Sequence, residues 1–107
     1  MELINLYSRT HITGVTAEDF KQKVTSFSEE MDYGENPVVK EEDVLIIEMD
    51  YRDGGNYRHS IAIALDAEGR VWVDEPEWNE DEEEERIMFW EQVYTLFGVV
   101  TPEDVYA

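Results

Sequence analysis

Cysteine is absent from the chain, which excludes disulfides, thiolate nucleophiles and Cys-ligated zinc. Histidine is nearly absent: His11 and His59 are the only two, too few for most imidazole-based metal sites. Positive charge is scarce, with 8 Lys plus Arg against 27 Asp plus Glu and a formal net charge of −19. A charge of that size opposes compaction by self-repulsion, repels nucleic acid and anionic lipid, and attracts basic surfaces from a distance. No apolar run approaches the ~20 residues needed to span a bilayer. The opening MELINLYSR lacks the basic start and long apolar segment of a secretory signal, so the cytoplasm is the expected compartment. Catalytic signatures are missing too: GxSxG, a phosphate loop, GxGxxG and HExxH do not occur.

What is present argues for a folded domain. Hydrophobic residues make up 42% of 107 positions, with three Trp, six Tyr and four Phe. That is too apolar for a disordered acidic tail, and the length suits one core but not two. The expectation is a single acidic globular domain over residues 1–107.

Periodicity assigns its elements. Glu2 to Tyr7 is a candidate first strand, without clean alternation. Thr16 is a good N-cap for the helix AEDFKQKVTSFSEEM, with Glu18 and Asp19 in its first turn, where the helix dipole favours anions. Phe20, Val24, Phe27 and Met31 share one face of it, and Asp32 to Pro37 supplies the stop. Asp43 to Arg52 alternates as a strand with Leu45, Ile47, Met49 and Tyr51 on one face. The turn Asp53-Gly54-Gly55-Asn56 leads to a partner strand from Tyr57 to Leu65, and Asp66 to Gly69 leads to a short strand RVWVD. Ala62 and Ala64 on the second face imply either close packing or light cover. A helix from about Asp81 to Phe97 follows, with Ile87, Trp90, Val93 or Tyr94, and Phe97 as its core stripe. Met88, Phe89 and Leu96 widen that stripe enough to suit deep burial or a homodimer. Gly98 ends the helix, and Thr101 to Asp104 caps a last short turn whose Val105 and Tyr106 dock back. The fold class expected is α+β: a three-stranded antiparallel meander, with an optional N-terminal strand, packed by two main helices in the order (β)αβββα.

The densest feature is Asp74 to Glu85, DEPEWNEDEEEE, in which nine of twelve residues are acidic. A helix start explains some of these acids through the dipole. Solubility explains fewer, since a small domain needs only about 2–8 net charges; a salt-rich habitat selects a similar bias. Calcium is a weak candidate, because DYRDGGN misses the EF-hand pattern and a regular helix splays its carboxylates. His59 reads as a packed or edge histidine. With 27 acids, closely spaced carboxylates are inevitable and carry no specific catalytic signal. No catalytic residue, metal site or cofactor is assigned. On helices, carboxylates three or four apart sit ~5–6 Å from one another, as do Asp81, Glu84 and Glu85, with Glu91 near their continuation. Glu48 and Asp50 repeat at ~6.6 Å on a strand. Such rows can stand in for the phosphates of duplex DNA, one charge per ~1.7 Å of axis.

In size and composition the chain resembles the acidic DNA mimics that phages use against CRISPR effectors and restriction enzymes. Its order of helix, three-stranded meander and helix also resembles some anti-CRISPR proteins. The likeness is of class, and fold does not fix function. It implies a non-enzymatic inhibitor that occupies the DNA- or RNA-binding groove of a basic protein, in the host cytoplasm if phage-encoded, with no contact to nucleic acid or membrane. The expected binding set is Asp74, Glu75, Glu77, Glu80, Asp81, Glu82, Glu83, Glu84 and Glu85, with Trp78 as an apolar anchor or, equally, a core residue. The alternative is an immunity protein or antitoxin that neutralises a basic nuclease toxin through a smaller, better fitted patch.

Overall fold

A computed structural model describes residues 3–30, 38–52 and 58–106. The chain contacts divide it into two compact units, Met1–Pro76 and Glu77–Ala107. The first is a sheet with one helix, and the second is built on the other helix.

In the first unit the elements run β1 (Ser8–Arg9), α1 (Ala17–Glu30), β2 (Val38–Glu41), β3 (Val44–Arg52), β4 (Arg58–Leu65) and β5 (Val71–Asp74). They form one antiparallel sheet of order β1-β5-β4-β3-β2. The meander is therefore its centre, and the architecture is α+β as the periodicity indicates. Two strands differ from expectation. Leu3–Asn5 forms a 3-10 turn, and the N-terminal strand is Ser8–Arg9. The irregular run of Leu3, Ile4 and Leu6 suits a turn, whose bonds from the Leu6 and Tyr7 amides to the Leu3 carbonyl hold it. The second difference is an added edge strand, β2, pairing Val38 with Ile47 through Glu41 with Val44. Its hairpin turns at Glu42, whose φ of 55° is left-handed, a conformation that few side chains signal in sequence. The expected stop at Asp32 to Pro37 and turn at Asp53 to Asn56 lie outside the described residues, as does Met31.

Register sorts the sheet residues into two faces. Leu45, Ile47, Met49, Ile61, Ile63, Leu65, Val71 and Val73 share one and are all buried. The α1 residues Phe20, Val24 and Phe27 are buried as well, and α1 sits against β3 and β4. Thr16 caps that helix, its hydroxyl accepting from the Asp19 amide at 3.2 Å. On the other face Ala62 and Ala64 join Leu3, Val44 and Ile46 in a second apolar cluster, with Tyr7 and Trp72 against it. The small alanines thus mark close packing, and the N-terminal turn provides part of it.

One hairpin ties the first unit together. The Asp66 carboxylate accepts from the amides of Glu68 (2.9 Å) and Arg70 (3.0 Å) and from the Trp72 indole (2.8 Å). Burial alone would raise its pKa. The bonds from Trp72, Arg70 and Glu68, with the Arg70 charge, outweigh that and hold it below 3.8. Gly69, at φ +83°, accepts the Val15 amide at 3.0 Å. Thr10, fully buried, donates its hydroxyl to the Val71 carbonyl and accepts the Ile12 amide at 3.1 Å.

In the second unit α2 spans Glu83–Leu96. Phe89, Trp90, Val93, Tyr94 and the capping Phe97 are buried, Ile87 and Leu96 are half-buried, and Met88 is 54% exposed. Trp90, Val93, Tyr94 and Phe97 of the expected stripe are therefore buried, Phe89 joins them at its edge, and Ile87 is the one expected member that is only half-buried. Gly98, at φ +70°, ends the helix: its amide bonds to Thr95 and that of Val99 to Tyr94, both at 3.0 Å. The final turn, Glu103–Val105, is 3-10. Val105 is half-buried, whereas Tyr106 is 51% exposed. No helix among the described residues is long and apolar enough to cross a membrane.

Candidate functional site

The acidic run passes through four conformations in twelve residues. Asp74 ends β5, Glu75 to Asn79 belongs to no regular element, Glu80–Glu82 is a 3-10 turn, and α2 begins at Glu83. The expected helix from Asp81 thus starts two residues later, because Asn79 and Glu82 close a tight turn first. The Glu82 carboxylate accepts the Asn79 backbone amide (3.3 Å) and side-chain amide (2.7 Å), and the Glu82 amide bonds to the Asn79 carbonyl (3.0 Å). This is the reciprocal geometry that stabilises helix starts.

The acids separate into those that hold the structure and those that face solvent. Glu82 is committed to its turn. Glu83 pairs with Arg86 through two bonds of 2.6 and 3.1 Å, and that pairing lowers its pKa below 4.5. Arg86 donates in addition to the Val105 carbonyl at 2.6 Å, tying the last turn to α2. Glu85 is half-buried, with one carboxylate oxygen out of solvent. Glu77, Glu80, Asp81 and Glu84 are exposed and pair with no cation among the described residues. Along α2, Glu84 is followed at helical spacing by exposed Met88 and half-buried Glu91. Trp78 is half-buried, its ring 5.8 Å from that of Phe89, which in turn lies 5.7 Å from Trp90.

Asp74 and Glu75 belong to the first unit. Asp74 is exposed, and Glu75 is half-buried. Register places Asp74 and Glu48 on either side of Ala62. Partial burial and then the Glu48 charge raise the Asp74 pKa above 3.8. That juxtaposition is invisible in sequence, where the two acids stand 26 positions apart; a strand register would have revealed it. The side chains of Asp50 and His59 lie outside the described set, and His11 is exposed. Among the described residues no group of three or more His, Asp or Glu comes together to hold a metal ion.

Chemically, the exposed carboxylates can accept charge-assisted hydrogen bonds from Lys and Arg of another molecule. Glu80 and Asp81 stand on a turn closed by Asn79 and Glu82, and Glu84 on the start of a helix, so these three are displayed from regular backbone. No protein-family model, curated protein or solved structure matches the chain.

Proposed function

We propose that this protein is a non-enzymatic inhibitor that presents carboxylates in place of phosphates and blocks the nucleic-acid-binding groove of a basic protein in the cytoplasm. The observation that carries this reading is the set Glu77, Glu80, Asp81 and Glu84: exposed, unpaired among the described residues, and set on or just before the turn and helix that open the second unit. Uncompensated charge costs stability through self-repulsion. A net −19 in 107 residues is thus more than solubility requires. A basic groove would offset that repulsion, because each Lys or Arg that meets a carboxylate removes part of the field. Asp74, Glu75 and the remaining acids of the run add to the long-range attraction, whatever their local partners.

The test is capture of basic proteins from a bacterial lysate on the immobilised chain, followed by elution with duplex DNA or guide-type RNA. Displacement by nucleic acid, with release on raising salt, is the expected result. A variant carrying Glu77→Gln, Glu80→Gln, Asp81→Asn and Glu84→Gln should fold normally and bind at least about tenfold more weakly, since several ion pairs are lost together. A captured protein that excess nucleic acid fails to displace would refute mimicry and support a cognate, immunity-type interface. Unchanged binding by the variant would refute the assignment of the site.

A further inference from the structure

A cavity of about 430 Å³ opens in the first unit between the start of α1 and the ends of β3 and β4. Its volume falls within the usual range of small-molecule sites. Val15, Ala17, Leu45 and Leu65 give it apolar walls, and both leucines are buried. Three charged side chains line it: Lys21, Asp43 and Asp66. Asp66 is consumed by its bonds to Glu68, Arg70 and Trp72. Lys21 and Asp43 are both uncommitted among the described residues, and they form no ion pair with each other. An unpaired lysine is notable in a chain where acids outnumber bases 27 to 8.

The chemistry of the walls narrows the occupant. A purely apolar molecule would desolvate both charges without replacing their water. An anion would meet the repulsion of the whole chain and of Asp43. A cation would satisfy Asp43 and leave Lys21 opposed to it. A molecule with a carboxylate, an ammonium and an apolar side chain matches all three features, and it carries no net charge for the field to repel. We infer that this cavity binds a zwitterionic apolar amino acid or dipeptide, with its carboxylate on Lys21, its ammonium on Asp43 and its side chain against Leu45 and Leu65. The site lies within residues 15–69 and uses none of the acidic run, so it stands or falls separately from the inhibitor reading.

The experiment is an amide-resolved NMR titration of the full chain with free L-leucine, glycine, N-acetyl-L-leucine and L-leucinamide. Leucine should shift the amides of Leu45, Leu65 and Gly69 saturably, with a Kd near ~1 mM, typical of so small a ligand. Each blocked analogue, and glycine, should bind at least about fivefold more weakly, the scale of one partly exposed ion pair or a modest apolar contact. In Lys21→Gln, leucine should bind no better than leucinamide. In Asp43→Asn, it should bind no better than N-acetyl-leucine. Both positions are exposed, so the free variants should keep the parent spectrum. Absence of saturable shifts at those amides with leucine up to ~20 mM, far above the expected Kd, would overturn the inference. So would equal binding of leucine and either blocked analogue.

Discussion

Replacing Gly69 with Ala tests the hairpin on which the first unit depends. Two costs can be read from the geometry. At φ +83° an L-residue is strained, by roughly 1–2 kcal/mol. The added methyl would also lie 3.1 Å from the Val15 carbonyl oxygen and 3.3 Å from its nitrogen. Those atoms are backbone, and the Val15 amide is bonded to the Gly69 carbonyl at 3.0 Å, so relief of the contact weakens a bond of about 0.5–1.5 kcal/mol. The reduced entropy of the unfolded chain returns ~0.4–1 kcal/mol. The net loss expected is about 1–2.5 kcal/mol, or roughly 4–20 °C in melting temperature for a unit of this size. Gly14 supplies the control, because it has φ +73° and nothing within 4 Å of an added methyl. Gly14→Ala should carry the backbone strain alone, offset by the same entropy term, and cost about 1 kcal/mol or less. Urea unfolding followed by circular dichroism and by Trp72 fluorescence, in a background with Trp78 and Trp90 changed to Phe, measures both. Equal losses in the two variants would refute the claim that the approach to Val15 matters.

Thr10→Val should destabilise the first unit by about 1–3 kcal/mol in the same assay, because it leaves the Ile12 amide without its buried acceptor; a loss under ~0.5 kcal/mol would mean that water replaces the hydroxyl. Asp66→Asn should cost about 1 kcal/mol at pH 7, since an amide nitrogen cannot accept the Trp72 indole proton. The folded pKa of Asp66 lies below its unfolded value of 3.8. Its contribution is therefore present above 3.8 and lost as pH falls through the lower folded value, so the ionised form's advantage over Asn should shrink only in strong acid. Asp74 has the opposite sign: its folded pKa is raised, so ionisation disfavours the folded state as pH rises through that value. Asp74→Asn should then stabilise the protein at neutral pH and lose that advantage below the unfolded pKa of 3.8; a gain that persists in acid would locate its cause elsewhere.

Alternation and capping signals carried most of the fold. Thr16, the Phe20, Val24 and Phe27 stripe, and the alternating apolar residues of β3 have local causes, so a single sequence displays them. The strand β2 was not legible, because Val38–Glu41 is four residues long and its strand character comes from pairing with Val44–Ile47 rather than from its own pattern. Helix α2 was legible in extent and in the buried stripe of Trp90, Val93, Tyr94 and Phe97, but not in which residue of its first turns is most buried. Ile87, Met88, Phe89 and Trp90 are four consecutive large apolar residues, and in such a run the burial of Phe89 over Met88 follows from packing, not periodicity.

The acidic run shows the same division between what is local and what is not. Sequence counts nine carboxylates there, and electrostatic reasoning from sequence treats them as equivalent. The fold does not. Glu82 bonds the turn, Glu83 engages Arg86, and Glu85 turns one oxygen inward. Glu82 and Glu83 support the start of α2, so neutralising them would perturb the scaffold as well as the charge, whereas the inward oxygen of Glu85 bonds to nothing among the described residues. The densest part of the run is Glu82 to Glu85, and two of those four are held by side-chain hydrogen bonds. Glu77, Glu80, Asp81 and Glu84 are the informative targets, since their removal changes the surface potential and leaves every described hydrogen bond in place. A loss of partner binding in that variant, with an unchanged melting temperature, would therefore report on recognition and not on folding.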